Sequence, residues 1–504
     1  MLHLSIRGLS GLKHKFPVNI LLTLFFTMLG LAVMGYHPGI EDDGVYLSAI
    51  KSDLNPALYP HDANFFRVQL QATFFDNWVA GFVRSTGVPL PATEFLFQFA
   101  AIMLIVFACW RIARRLFNET LAQWAGVALV TAMFTLPVAG TALYLVDQHL
   151  HPRNVATAFI LLAVSRILEG KGRQAVPLLL LSFLLHPIMA AMGISFCIFL
   201  AVVLLEPLPA WLRRGAGAGS MAAASVPLGW IFEPPTSTWR EALNTRTCFF
   251  LYRWTWYEWL GALAPLFLFW LLWRIARKRH ETLLARFALA VFLYGVFQLL
   301  LAIAILGIPE LIRLAPLQPM RFLHLIYVFM TLLGGCLVGK YLLKASIWRW
   351  AVFLLAINAG MFVPQRLLFS SSEHLELPGR NSANPWLQAF AWIRQNTPTD
   401  AYFALDPNYL AAPDEDYHSF RALAERSQLA DAIKDTAVVT QVPELGEVWA
   451  RQVKAQRGWT RFQLADFERL KTEFGVNWVL VSDPQPAGLG CQWHNAILSV
   501  CRIP

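Results

Sequence analysis

Long apolar segments recur along the first 370 residues of this sequence and constrain its fold more than any other feature. A run of about 18 or more apolar residues can cross the ~30 Å hydrocarbon core of a bilayer as a helix. Only 14% of the residues are charged, so lipid is the expected solvent for much of the surface. The candidate spans are 17–36, 94–110, 121–141, 154–168, 174–207, 216–232, 257–273, 283–308, 320–343 and 348–369.

Segment 174–207 is ambiguous, because it could cross the membrane once or twice. His186-Pro187 lies near its middle, where a proline can break a helix. With two crossings, the basic loops near 111–115, 166–173, 213–214, 274–279 and 340–349 all fall on the side of the basic N-terminus, which is the pattern of cytoplasmic loops. Loop charge therefore predicts a hairpin turning at His186, with both halves buried among other helices, and about eleven spans in all.

The composition changes near residue 372, after a serine-rich linker. Helices are predicted at 385–396 and 463–474, helical patterns at 419–433 and 443–456, strands at 401–405 and 476–482, and a hairpin at 491–502. We therefore expect an all-α polytopic membrane domain over 1–371 and a small soluble α/β domain over 372–504. The charge pattern places this second domain outside the cytoplasm, where Cys491 and Cys501 could form a disulfide across the hairpin.

The formal net charge of +9 does not indicate a nucleic-acid partner. The basic residues lie in short loops, where they act as topology signals, and the region after residue 372 is net acidic. The tryptophans and arginines of the outer segment 233–256 are typical of an aromatic belt at the membrane interface. Segment 65–83 is amphipathic and could lie along the membrane surface.

Three consecutive acidic residues, Glu41, Asp42 and Asp43, follow the first span closely. A carboxylate just outside the membrane can act as a general base on an acceptor, or it can hold a divalent cation. Alternatively, Asp42 or Asp43 caps a helix that begins at Gly44, or the loop is simply solvated. Between Asp42 and Asp43, the sequence gives a slight preference for Asp43 as the base.

A second polar group lies in the outer turn 147–153, which contains Asp147, His149, His151 and Arg153. These residues could contact an anion or a substrate, bind a metal ion, or solvate the end of a helix. Alternate spacing brings the first three to one face only if the segment is extended.

Arg313 and Arg321 flank two prolines near the start of a late span. A helix N-terminus together with a guanidinium group is suited to binding phosphate, although each arginine could instead extend to the membrane interface. His186 is interpreted as a turn residue rather than a ligand.

The architecture at these residues resembles the GT-C superfamily of integral membrane glycosyltransferases. That resemblance implies a polyprenyl-phosphate sugar donor, catalytic acidic residues in the first outer loop and, in many members, an outer C-terminal domain. Glu41-Asp42-Asp43 matches the acidic position, and the Arg321 region is similar to the basic site near the lipid phosphate. Segment 392–403 is similar to a region after the last helix in many bacterial multipass proteins.

The resemblance predicts a glycosyltransferase of the bacterial inner membrane that works at the outer face. Its partners would be membrane lipid, a lipid-linked sugar donor and an acceptor that the sequence does not identify. A divalent cation is an option but no motif specifies one. The alternatives are a transporter or flippase of lipid-linked glycans, which would place ionisable residues at the bilayer midplane, and a non-catalytic scaffold.

Overall fold

The computed structural model describes residues 15–205, 234–412 and 415–504, so the predicted span 216–232 lies outside the described residues. The helices up to the linker are α1 (Lys15–Met34), α2 (Asp43–Leu54), α3 (Asn64–Ala72), α4 (Phe75–Thr86), α5 (Leu90–Leu116), α6 (Thr120–Ala132), α7 (Pro152–Leu168), α8 (Ala175–Leu185), α9 (Pro187–Leu204), α10 (Ser237–Asn244), α11 (Trp256–Lys278), α12 (Thr282–Gly307), α13 (Leu323–Val338) and α14 (Ile347–Leu368). A two-stranded hairpin of β1 (Pro137–Val138) and β2 (Leu143–Tyr144) connects α6 to α7.

Six helical segments of the described residues are long and apolar enough to span a membrane. They are α5, α9, α11, α12, α14 and the segment Pro319–Leu343, which contains α13. Shorter apolar helices lie at Val18–Met34, Thr120–Ala132 and Gly172–Leu185. The chain is therefore an integral membrane protein. The described residues contain six such long spans, so the predicted count of about eleven is not confirmed.

The helix break at His186 is confirmed. His186 adopts an extended backbone between α8 and α9, and its Nδ1 accepts a hydrogen bond from the backbone N–H of Met189, 3.3 Å away. Because Pro187 has no N–H and cannot continue the preceding helix, it begins α9. The imidazole thus caps the new helix, which agrees with the interpretation of His186 as a turn residue.

The expectation that both halves of 174–207 are buried was wrong for α8. Only Ala175, Ser182 and Leu185 of this helix are buried, while Val176 and Leu180 are more than half exposed. An apolar helix with this exposure presents most of its surface to the surrounding solvent, which is lipid in a membrane protein.

Basic residues from several predicted cytoplasmic loops meet at one end of the helix bundle. Five of them line a shared depression at the ends of α5 and α7: Arg111, Arg114, Arg115, Arg166 and Lys171. Lys340 lies shortly after the last residue of α13, at the same end of the bundle. Its ammonium lies 3.0 Å from Glu281, just before α12, and 3.4 Å from Glu119, just before α6. We refer to this end as the basic end. The opposite end is called the cavity end, after the cavity described in the next subsection.

After the linker the chain forms α15 (Pro385–Asn396), β3 (Tyr402–Ala404), α16 (Phe420–Ala424), β4 (Ser427–Gln428), α17 (Lys434–Gln441), α18 (Gly446–Ala455), α19 (Leu464–Phe474), β5 (Trp478–Ser482), β6 (Gly490–His494) and β7 (Leu498–Arg502). The strands form one sheet in the order β4-β3-β5-β7-β6. β3 pairs in parallel with β4 and β5, and β7 pairs antiparallel with β5 and β6.

The two faces of this sheet are covered by different helices. Phe403, Trp478 and Val500 pack with side chains of α15 and α16 on one face. Tyr402, Val479 and Cys501 pack with side chains of α19 on the other. Alternate residues of each strand thus enter separate cores, as the pleat of a strand requires.

The predicted elements of this region match the structure at α15, β3, α19, β5 and the final hairpin. The helical pattern predicted over 419–433 was wrong beyond Ala424, because Glu425 takes a left-handed conformation with φ 55° and the chain then enters β4. Cys491 and Cys501 form a disulfide across the hairpin, with their Cα atoms 3.7 Å apart.

A buried ion network joins this region to the loop between α2 and α3. The guanidinium of Arg421 bonds both carboxylate oxygens of Asp435, at 2.7 and 2.9 Å, and also contacts Asp62. All three side chains are at most 7% exposed. Because charges buried to this degree are stable only when they are paired, the network connects the start of α17 to the loop between α2 and α3.

Candidate active site

A cavity of about 670 Å³ lies at the cavity end of the bundle. Its floor and walls come from the β1–β2 hairpin, the start of α11, Tyr327 of α13 and the last residue of α14. The loop between α1 and α2 contributes Glu41 and Asp42. The turn before α7 contributes Asp147, Gln148 and His149, and Arg153 follows from the first turn of α7. We call it the Asp42 cavity.

The three acidic residues have different surroundings. Asp43 is 2% exposed, and its carboxylate accepts a hydrogen bond from the N–H of Gly39 at 2.6 Å, which closes the loop before α2. Asp42 precedes α2 but makes no side-chain capping bond, so the capping alternative does not hold for it. Its side chain, 44% exposed, lies in the cavity wall with Glu41. The geometry therefore favours Asp42 over Asp43, contrary to the slight preference from the sequence.

Lys434, the first residue of α17, reaches both cavity carboxylates. Its ammonium contacts the Glu41 carboxylate and lies 3.3 Å from that of Asp42. The N–H of Lys434 is held by the side chain of Asp431, which also accepts a bond from the N–H of Ile433 at 2.8 Å. The region after the linker thus contributes a cation that pairs with the two carboxylates of the cavity wall.

The turn before α7 is held by buried polar contacts. Arg153 binds Asp147 with two hydrogen bonds, one of 3.0 Å from Nε and one from Nη2, and both side chains are about 5% exposed. The amide of Gln98 donates to the Asp147 carbonyl at 2.7 Å, and the amide of Gln148 contacts Gln365 of α14 at 3.0 Å. These bonds make the turn a rigid part of the bundle.

The two histidines of this turn differ in their contacts. Nδ1 of His151 accepts a bond from the N–H of Arg153 at 2.9 Å, so in the neutral ring the proton is on Nε2. That Nε2 faces Asp42 from 3.8 Å, longer than a hydrogen bond. Both ring nitrogens of His149 lack a hydrogen-bond partner among the described residues, and so does Nη1 of Arg153. These nitrogens are buried in the cavity wall, where a ligand oxygen or a bound water would satisfy the ones that carry a proton.

The charges around the cavity shift the acidities of its groups. Burial raises the pKa of the Asp43 carboxyl to about 7 against the effect of the Gly39 N–H. Burial also acts to raise the pKa of Asp42, but Lys434 and His151 outweigh it and hold this pKa well below its usual range. Desolvation lowers the pKa values of His149 and His151 to about 4. At neutral pH Asp42 is thus ionised, and the imidazoles of His149 in the cavity wall and of His151 beside Asp42 are neutral.

The two arginines before α13 occupy different places. Arg321 is in the turn Pro319–Phe322, and its Nε donates to the side chain of Gln318 at 2.6 Å. Arg321 and Cys248 line a small adjoining recess, and Cys248 also lines the Asp42 cavity. Arg321 therefore lies directly behind the cavity wall, where its charge interacts with Asp42 and Arg153. Arg313 instead contacts the carbonyl of Pro234 at 3.2 Å.

Several residues in or next to the cavity have no recognisable pattern in the sequence. Lys434 had no local signal, since it stands alone in an acidic segment far from the first loop. Arg253 and Trp254 line the cavity although they were interpreted as part of an aromatic belt. That interpretation was also wrong for Trp239, which is buried and donates to the carbonyl of Thr440 at 3.1 Å. Trp256, 77% exposed, fits it.

The metal alternative for turn 147–153 gains no support from the described residues, in which no three His, Cys, Asp or Glu side chains are grouped to hold a metal ion. Both oxygens of Asp147 are engaged by Arg153, and the Lys434 ammonium is paired with both Glu41 and Asp42.

No protein-family model matches this sequence, and comparison with curated protein sequences finds no significant match. Among solved structures, the chain is similar to the archaeal oligosaccharyltransferase AglB from Archaeoglobus fulgidus, in complex with an inhibitory peptide and a dolichol-phosphate. The two share 12% sequence identity, with a TM-score of 0.45, over 93% of this chain and 70% of that one. The likeness is distant.

Proposed function

We propose that this protein is a membrane glycosyltransferase that moves a sugar from a polyprenyl-phosphate donor to an acceptor, as the resemblance to the GT-C superfamily implies. The observation that carries the proposal is the Asp42 cavity, which an ionised carboxylate shares with His149 and Arg153, each of which has a buried nitrogen without a hydrogen-bond partner among the described residues. Such a cavity offers a site for an acceptor hydroxyl and a site for an anionic leaving group in one space.

In this proposal Asp42 orients the acceptor hydroxyl and takes its proton as the new glycosidic oxygen–carbon bond forms. The donor sugar leaves its phosphate at the same time, and the phosphate keeps the electron pair of the broken bond. Arg153 through Nη1 and His149 through one N–H stabilise the negative charge that grows on the phosphate oxygens. Arg321 adds positive potential from behind the wall.

A lipid-linked donor also needs a lateral path for its hydrocarbon tail. The cavity wall contains Tyr257 of α11 and Leu368 of α14, which are 59% and 37% exposed. Further along these helices, Leu263 and Val363 are also exposed. An exposed apolar surface that continues from the cavity along two helices suits a polyprenyl chain.

A transporter is less well supported by the interior of the bundle. Where α6, α7, α9, α12 and α13 pack together, the core is formed by apolar side chains such as Val127, Ile160, Phe196, Val291 and Phe329. A transport pathway places ionisable residues at that depth, whereas here the polar groups described above lie at the cavity end.

The same proposal sets the topology. Residues 1–371 form the membrane domain, 372–504 form the domain outside the cytoplasm, and the protein belongs in a bacterial inner membrane. The basic end then faces the cytoplasm, as short basic loops favour. The proposal assigns neither the identity of the acceptor nor that of the donor sugar.

The test is transfer from a panel of radiolabelled polyprenyl-phosphate sugars to acceptors in membranes that contain the protein. Asp42→Asn removes the base and should lower the rate by about 100-fold or more, while folding is retained. Asp43→Asn, outside the cavity, should lower it much less. Equal loss in both variants would contradict the assignment of Asp42, and no transfer from any donor would contradict the proposed function.

A further inference from the structure

A second crevice lies in the region after the linker, at the carboxyl ends of β3 and β4. It has a volume of about 410 Å³ and is lined by Asp406 and Asn408 after β3 and by Ala432 after β4. Ala432 donates its N–H to the carbonyl of Pro407 at 2.8 Å, which joins the two loops at the base of the crevice.

The strand connections explain why a crevice forms there. The connection from β3 to β4 contains α16, which packs on one face of the sheet. The connection from β4 to β5 contains α19, which packs on the opposite face. Adjacent parallel strands whose connections leave toward opposite faces define a topological switch point, where open α/β sheets bind their ligands.

The side chains in this crevice indicate the class of ligand. Trp449 and Trp459 supply aromatic surface, and the Trp449 indole is oriented by its bond to the Asp431 carbonyl at 3.0 Å. Asp406, Asn408, Glu241 and Arg457 supply planar polar groups. Two carboxylates against one guanidinium disfavour a phosphate, whereas aromatic faces beside planar polar groups suit the apolar faces and hydroxyls of a sugar.

The crevice lies close to the Asp42 cavity. Ala432 is two residues before Lys434, so their Cα atoms are at most about 7 Å apart. α10 and the turn that follows it connect the same two sites, with Glu241 and Thr245 in the crevice and Thr247 and Cys248 in the cavity.

We propose that the switch-point crevice binds a saccharide. If the cavity transfers sugar, the crevice holds a distal residue of a glycan acceptor; this role rests on the proposed function, whereas saccharide binding does not.

The test measures binding to the full-length protein in detergent by saturation-transfer NMR. The probes are methyl glycosides and short oligosaccharides of neutral hexoses and N-acetylhexosamines. We expect saturable binding of at least one probe, weakened at least about tenfold in Trp459→Ala. Asp406→Asn should also weaken binding, and it keeps the oxygen that accepts the Asn408 N–H at 2.8 Å, so it should fold even if Trp459→Ala does not.

Arg451→Gln is the matched control, because Arg451 pairs with Glu473 on the same domain but does not line the crevice. Asp42→Asn should retain binding, which separates this proposal from the proposed function. The proposal is overturned if no probe binds, if Asp406→Asn and Arg451→Gln bind equally well, or if inorganic phosphate competes with the saccharide.

Discussion

The two ends of the helix bundle carry charge in different ways. At the basic end, Arg114 and Arg115 are exposed, and Lys340 lies between two carboxylates that are 32% and 48% exposed, although Arg111 is buried against Glu169. At the cavity end, Arg153 and Asp147 are almost fully buried and locked to each other. Exposed charges have little energetic cost, so at the exposed positions of the basic end only the sign of the charge matters. Buried charges require exact partners, so the cavity end is built around particular residues.

The largest difference between the ends should appear in stability. Arg153→Ala leaves Asp147 buried without its partner and should cost about 3–5 kcal/mol of unfolding free energy. Arg114→Ala, which removes an exposed guanidinium 4.7 Å from the ring of Trp110, should cost at most about 1 kcal/mol. Denaturant unfolding in detergent measures both variants.

The double variant Arg153→Met with Asp147→Leu supplies the control, since it removes both charges and should recover much of the lost stability. Equal losses from Arg153→Ala and Arg114→Ala would remove the proposed distinction between the two ends.

A smaller difference should appear in pH dependence. Lys434 lowers the pKa of Asp42, so this carboxylate stays ionised as the pH falls and its base function persists into the acid range. In Lys434→Met the pKa of Asp42 rises, and the acid limb of the pH–rate profile should move to higher pH. The groups that remain around Asp42 include Glu41, Tyr46, His149, His151, Arg153 and Arg321.

The pH–rate profile of transfer measures this shift, and Lys434→Arg should restore the original limb. Lys340→Met at the basic end is the matched control and should leave the profile in place. A shift in both variants, or in neither, would show that Lys434 does not set the ionisation of Asp42.

The smallest effect on stability is expected from single-cysteine probes, which report the side of the membrane on which each end lies. Thr86 and Lys171 are exposed at opposite ends, so single cysteines there should leave stability almost unchanged. With the free cysteines at 109, 197, 248 and 336 replaced, an impermeant maleimide should label position 86 from outside and position 171 only after the membrane is opened. Labelling of both positions from one side would contradict the topology. His186 is too buried to serve as a probe.

The features that sequence reasoning found are those with local causes. The break at His186 follows from one proline, and the strands and helices after the linker follow from short periodic patterns. The acidic triplet was found as a group, but the choice between Asp42 and Asp43 depends on how the backbone of 39–43 turns. Lys434 and the Arg421–Asp62 pair depend on folding contacts across more than 350 positions, for which a single sequence contains no signal.

The contact of Lys434 with Glu41 also has a consequence for the timing of synthesis. These residues are 393 positions apart in the chain. At ribosomal rates of about 5–20 residues per second, roughly 20–80 s separate the appearance of the carboxylate from that of its cation. During that interval the first loop has already been synthesised, but its carboxylates at Glu41 and Asp42 do not yet have Lys434 as a partner. Completion of the cavity is therefore one of the last events in the biogenesis of this protein.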